Sequence, residues 1–152
     1  MALVAGTSIE TFGGSVQVIT GATQVVDDAF SAQGDCVAWT NSQNASFASF
    51  LLTAIFASAP TVNTPVNLYA RLINISGTDD ELIPSTTYQP HFLGSLIVGA
   101  ATNQWVMLAD APLPNGQDAQ QFEFFIENKS GQTLTAATWN LAINPKGFTV
   151  AA

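Results

Sequence analysis

The chain has 152 residues, of which 47% are apolar and only 9% are charged, and its three basic and eleven acidic residues give a formal net charge of −8. This length predicts one domain with a substantial hydrophobic core. The acidic balance excludes the basic surface that phosphate backbones and anionic membranes require, so we expect no nucleic acid and no membrane among its partners.

The low content of charged residues distinguishes this chain from ordinary soluble domains, in which roughly 25% of residues are charged. A monomer with so few charges exposes large uncharged patches, and such patches mark contacts with other molecules. A surface rich in Ser, Thr, Asn and Gln is the alternative, and the sequence contains many of these residues too. We expect a homo-oligomer that buries much of its surface in an assembly.

Membrane insertion and secretion are not indicated by the sequence. Ser49, Thr53 and Ser58 interrupt the longest apolar run, which is therefore too short to span a bilayer. The first residues lack the positive charge and the apolar segment of a signal peptide. Cys36 is the only cysteine, so no disulfide can form within the chain. We expect a soluble protein that folds in the cytoplasm.

The N-terminal stretch differs from the rest of the chain. It begins MALVAGTSIETFGGS, which is small, polar and glycine-bearing, with little periodic pattern. Such a composition is typical of an arm rather than of a core element, so we divide the chain into an extended arm (1–22) and a β-sandwich domain (23–152). Short strands are also predicted at residues 16–20 and 35–40.

Residues 47–59 form one ambiguous apolar segment. Their large side chains recur at helical spacing, yet the run also fits a buried strand. We favour a strand, which would pass through a proline-rich turn into a hairpin with the strand predicted at residues 67–75. A single helix is the alternative.

Two later segments alternate between apolar and polar residues, at 121–128 and 139–144. Ser130-Gly131 is a turn signal between them, so we expect a hairpin or a closely spaced strand pair. Their apolar faces should be buried together. The residues concerned are Phe122, Phe124, Ile126, Trp139, Leu141 and Ile143.

With further strands expected at residues 92–98 and 104–108, the chain contains eight or nine short strands and no alternation of strands with helices. This pattern predicts an all-β fold, an antiparallel β-sandwich or jelly roll.

The acidic triplet Asp79, Asp80 and Glu81 is the first candidate for chemistry. It lacks the alternating oxygen ligands and the glycine of a calcium loop, so a solvated loop is favoured over a cation site or a catalytic site. His91 is the only histidine, and one histidine with one cysteine cannot complete a standard zinc site. We predict a structural or interface role for His91, and no catalytic, cofactor-binding or metal-binding residues.

The remaining candidates also favour structure over chemistry. Cys36 lies in an expected strand, where a buried and inert thiol is typical. Asn44, Asn74 and Asn128 each begin an Asn-x-Ser triplet, but glycosylation requires secretion, which is not expected here. Tryptophans could stack on sugar rings if exposed, although core positions are more usual in a sandwich. They are Trp39, Trp105 and Trp139.

Residues 66–148 resemble a class of small virion proteins of tailed bacteriophages. The resemblance rests on LYARLINISGTDDELIPSTTYQPHFLGSLIV, LADAPLP, FEFFIENKSGQTL and TWNLAINPKG. Members of the class are all-β, poor in charge and attached to the capsid as decoration or cement proteins. No catalytic residues accompany these motifs.

The resemblance implies a non-enzymatic protein on the capsid surface of a virion, made in the host cytoplasm. It would bind the major capsid protein as a trimer and brace neighbouring capsid subunits. A tail or connector protein of a phage is an alternative, because the composition of the chain fits that role equally well. A lectin-like module is another alternative, and it would need exposed tryptophans or a calcium loop. A hydrolase is the most distant one.

Overall fold

The computed structural model describes residues 8–75, 80–114 and 119–150, and within these residues it contains ten β-strands and no α-helix. The strands are β1 (Ser8–Phe12), β2 (Val16–Ile19), β3 (Ala29–Phe30), β4 (Trp39–Thr40), β5 (Phe47–Ile55), β6 (Thr64–Ile73), β7 (His91–Val98), β8 (Asn103–Pro112), β9 (Gln121–Asn128) and β10 (Asn140–Val150).

The strands form two antiparallel sheets of five strands each. In the first sheet β10 pairs with β5, and β5 pairs with the edge strand β8, while β1 and β2 both pair with the other edge of β10. In the second sheet β9 pairs with β6, and β6 pairs with the edge strand β7, while β3 and β4 pair with the other edge of β9. The two sheets enclose one hydrophobic core, which confirms the predicted all-β sandwich.

The ambiguous segment at 47–59 is a strand over most of its length, as β5. Its residues alternate between buried and exposed, with Ala48, Phe50, Leu52 and Ala54 in the core. The predicted hairpin with β6 is wrong, because β5 and β6 lie in different sheets. The proline-rich connection crosses from one sheet to the other, and each strand presents its apolar face to the shared core from its own side.

Strands β9 and β10 repeat this arrangement. All six residues predicted to be buried together are in the core, and none of them is more than 2% exposed. The predicted hairpin is again wrong, because β9 belongs to the second sheet and β10 to the first. Alternation of apolar residues shows which face of a strand is buried, but facing strands and neighbouring strands satisfy it equally well.

Part of the predicted arm belongs to the sandwich. Strand β2 pairs with β10, and Val18 and Ile19 are completely buried, so the boundary predicted at residue 22 lies too far along the chain. Strand β2 confirms the short strand predicted at residues 16–20. Residues 1–7 of the predicted arm lie outside the described residues.

A local break separates β1 from β2, although both run along the same edge of β10. Pro145 of β10 has no N–H to donate, and the N–H of Gly13 instead donates to its carbonyl oxygen at 2.9 Å. A Cβ atom at Gly13 would lie 2.5 Å from Cγ of Pro145, so only glycine fits this close approach.

The strand predicted at residues 35–40 is reduced to the two residues of β4. The preceding Gln33–Asp35 form one turn of 3₁₀ helix. The Asp35 carboxylate is buried and accepts hydrogen bonds from the backbone N–H of Thr23 at 3.1 Å and from its hydroxyl. This carboxylate therefore fixes the loop between β2 and β3.

Candidate functional site

The acidic loop before β7 folds back against the end of β6. The Oε2 atom of Glu81 accepts a hydrogen bond from the N–H of Leu72 at 2.8 Å, and Oε1 lies 2.9 Å from Nε2 of His91. Asp80 Oδ1 accepts from the N–H of Asn74 at 2.9 Å. Both carboxylates thus satisfy backbone donors where the β6 ladder ends. Asp79 lies outside the described residues.

Arg71 of β6 connects this loop to β9. Its guanidinium lies 2.7 Å from Glu123 and 3.2 Å from Asp80, and its Nε donates to the carbonyl oxygen of Glu81. Only 7% of the Arg71 side chain is exposed. The Asp80 side chain is still 41% exposed, in agreement with the predicted solvated loop. The prediction is wrong only for Glu81, which is 21% exposed and is bonded to His91 and to the β6 backbone.

The carboxylates of this polar cluster are already bonded within the protein. Its carboxylates are engaged by Arg71, His91 and backbone donors, and among the described residues no group of three or more His, Cys, Asp or Glu side chains is arranged to hold a metal ion. His91 is the first residue of β7, and its ring is bonded to Glu81. The arrangement closes a loop.

The Cys36 thiol is protected from reaction. It lies in hydrogen-bonding contact with the carbonyl oxygen of Phe124, at 3.1 Å. Burial, followed by the negative charges of Glu123 and Asp35, raises the pKa of Cys36 from its ordinary value of 9.0 to about 12. Because the thiolate is the reactive form, this cysteine is a poor nucleophile at neutral pH.

The three tryptophans occupy different environments. Trp39 stacks on Phe122 in the core, and Trp139 is 2% exposed with its indole N–H donating to the carbonyl oxygen of Thr23. Trp105 of the edge strand β8 is 70% exposed. Two of the three therefore stabilise the sandwich, whereas Trp105 is available for contact with another molecule.

Trp105 belongs to an apolar surface on the outside of the first sheet. Met107 lies opposite Leu51 in the β5–β8 ladder, and Trp105 lies opposite Thr53, so these side chains share one face. Ile55 continues it along β5. Exposure ranges from 40% for Leu51 to 70% for Trp105. We call this surface the β5–β8 face, made by Leu51, Ile55, Trp105 and Met107.

Charge is sparse around the β5–β8 face. Strands β5, β8 and β10 together contain only two charged residues, Asp110 and Lys146, and these form an ion pair with each other. The outer face of the second sheet differs, since there Glu127 accepts hydrogen bonds from Asn67 and Tyr69 and pairs with Lys129. The two outer faces of the sandwich are therefore chemically distinct.

The β5–β8 face is not among the predicted sites, although the sequence contains a signal for it. Strands with one buried face alternate between apolar and polar residues, whereas residues 50–56 (FLLTAIF) and 105–108 (WVML) are apolar on both faces. Each sheet of the sandwich has one face against the core, and no helix covers the other face of the first sheet in the described residues. The second apolar face of β5 and β8 is therefore exposed. The pattern alone is ambiguous, because a strand buried on both faces has the same composition.

A comparison of the sequence with known protein-family models finds no match. A comparison with curated proteins likewise finds no significant similarity. The described part of the chain contains no helix that could span a membrane.

Proposed function

We propose that this chain is a non-enzymatic structural protein of a tailed-phage virion, which binds the capsid surface and stabilises it by bridging major capsid protein subunits. The observation that carries the proposal is the β5–β8 face, an exposed apolar surface on a rigid sheet. The resemblance of residues 66–148 to a class of phage virion proteins is the reason for proposing the major capsid protein as the partner.

The energetics of the β5–β8 face suit protein binding. Fully burying one large apolar side chain contributes about 1.5–3 kcal/mol, so the four side chains of this face offer several kcal/mol to a complementary surface. Charged residues are depleted at the centres of protein interfaces, as they are here. Trp105 and Met107 are also residue types that interfaces favour.

We infer further that the sandwich is a jelly roll. Strands β1 and β2 pair with β10, β3 and β4 with β9, β5 with β8 and β6 with β7, so the first strands pair with the last and the order continues inward. Rolling up one long hairpin produces this nested pairing. Jelly rolls are frequent in viral capsid proteins and in lectins, so the fold agrees with the proposal without deciding the function.

The proposal includes a location and an assembly. The protein is made in the host cytoplasm and ends on the outer surface of the capsid, as a trimer whose subunits each contact the shell. A trimer attached through three subunits stays on the capsid longer than a monomer would, because the other two contacts hold it when one is released. Its net charge of −8 favours a neutral or basic surface on the capsid.

The test uses phage particles that lack this protein. Purified wild-type protein should bind these particles and raise the temperature at which they lose their DNA. A Trp105→Ser/Met107→Ser double variant should bind at least tenfold more weakly. Leu82→Ser is the matched control, since Leu82 is also 70% exposed but lies outside the β5–β8 face. Equal binding by all three proteins would exclude the face as the attachment surface.

A lectin-like function is the second candidate, because Trp105 satisfies its requirement for an exposed tryptophan. An aromatic ring presented on a sheet can stack on the apolar face of a sugar. Titration with a panel of bacterial surface oligosaccharides should then quench the fluorescence of Trp105. The Trp105→Phe variant, which keeps a ring, should retain binding that Trp105→Ala loses. A phage tail or connector role uses the same face and differs only in location.

A further inference from the structure

An open depression of about 380 Å³ lies beside the β5–β8 face. It forms where β5 and β10 carry small outward side chains, Ser49 and Ala142, next to the larger Leu51 and Met107. Asn144 and Lys146 of β10 also line it, together with Ser15, Phe50 and Ile143. The depression therefore follows from a local change of side-chain size on an otherwise continuous sheet.

One lining residue has an unsatisfied polar atom. Asn144 lies opposite Ser49 in the β5–β10 ladder, and its Oδ1 atom is buried with no hydrogen-bond partner among the described residues. A buried acceptor without a partner destabilises the folded chain, and native proteins rarely retain one without a reason. Because Oδ1 is buried, an incoming donor reaches it only after a local rearrangement of the lining.

We propose that this depression is the anchor pocket for the protein partner of the β5–β8 face, an inference that rests on the proposed function. It takes one apolar side chain from a neutral or basic segment of that partner. The same segment donates a backbone or side-chain N–H to Oδ1 of Asn144. Anchors of this kind commonly fill a pocket near the centre of an interface.

The chemistry of the lining favours a protein segment over a sugar. Leu51 and Met107 offer no hydrogen bonds, so sugar hydroxyls placed against them would lose their contacts with water. Trp105 lies outside the lining and provides no stacking platform within the depression. Lys146 already pairs with Asp110, and the chain carries a net charge of −8, so a carboxylate on the incoming segment is disfavoured.

The test measures binding of purified variants to phage particles that lack the protein. Ala142→Leu fills the depression, and Asn144→Leu removes the acceptor while keeping the number and branching of the side-chain heavy atoms. Each should weaken binding at least tenfold. Thr86→Leu adds comparable bulk at an exposed position elsewhere and should bind like wild type. Asn144→Leu should also raise the melting temperature, because it removes an unsatisfied buried atom, and this shift separates lost binding from lost folding.

The outcomes separate this inference from the proposed function. If Trp105→Ser/Met107→Ser loses binding while Ala142→Leu and Asn144→Leu bind like wild type, the β5–β8 face stands and the anchor pocket is wrong. If wild-type protein does not bind the particles, the proposed function fails and the anchor inference fails with it. Competition by a soluble oligosaccharide that Asn144→Leu abolishes would assign the depression to a sugar and overturn the inference.

Discussion

The Nη1 atom of Arg71 lies 2.7 Å from Oε2 of Glu123, directly across the ladder between β6 and β9. This ion pair lies on the outer side of the second sheet, where the folded acidic loop brings Asp80 to the same guanidinium. The side chains of Arg71 and Glu123 are 7% and 15% exposed, so little water competes for them. Arg71 and its two carboxylate partners therefore hold the acidic loop against the second sheet.

Arg71→Ala should destabilise the fold strongly. Removing one partner of a buried ion pair leaves the other charge buried, which costs about 3–5 kcal/mol. The control is Asp28→Asn, which breaks the pair between Lys129 and a carboxylate that is 73% exposed and should cost far less than Arg71→Ala. Urea denaturation followed by circular dichroism provides both values. Equal losses in the two variants would show that Arg71 does not hold the loop.

Trp139 and Trp105 allow a matched comparison of one residue type in two environments. Trp139→Ala should cost about 3–5 kcal/mol, because it opens a cavity in the core. Trp105→Ala should change stability by less than about 0.5 kcal/mol, since its side chain is largely exposed. Thermal unfolding of both variants checks the difference. A large loss at Trp105 would mean that the isolated chain already covers the β5–β8 face.

Cys36 should resist alkylation in the folded protein. Because burial raises its pKa to about 12, the thiol stays protonated at pH 8, and iodoacetamide should modify it only after unfolding. The unfolded chain binds fewer protons than the folded chain between pH 9 and 12, so stability should fall as the pH rises through this range. Cys36→Ala should reduce the slope. Rapid modification of native protein at pH 8 would contradict the prediction.

The purified protein should self-associate. Sedimentation at micromolar concentration should show a species of about three times the 15.9 kDa monomer mass, because so uncharged a surface favours burial between subunits. The Trp105→Ser/Met107→Ser variant separates two interfaces. It should keep the trimer and lose only capsid binding. If it becomes monomeric, the β5–β8 face joins subunits rather than the shell.

The sequence predicted which residues are buried more reliably than which strands are neighbours. Phe124 and Leu141 lie in strands whose apolar and polar residues alternate. This local pattern was enough to predict their burial, and both are in the core. Whether those two strands pair or face each other depends on the path of the connecting residues between them. A turn signal such as Ser130-Gly131 is compatible with both, which is why the predicted hairpins were wrong.

The candidate site was less predictable because its contacts join distant positions. Glu81 lies in a loop with the composition of a solvated one, and only its proximity to Arg71 and His91 in space changes that interpretation. Cys36 was predicted to be buried in a strand, whereas it is half-buried and lies between the 3₁₀ turn and β4. The β5–β8 face could not be predicted with certainty, because a strand that is buried on both faces has the same apolar composition.

The location of this chain in an intact virion tests the account most directly. Heads and tails of purified phage can be separated, and the protein quantified in each fraction by mass spectrometry against the major capsid protein. We predict that it is found with the heads at a fixed ratio to the capsid protein, and that Trp105→Ser/Met107→Ser lowers this ratio. Recovery with the tails, or absence from both fractions, would contradict the account.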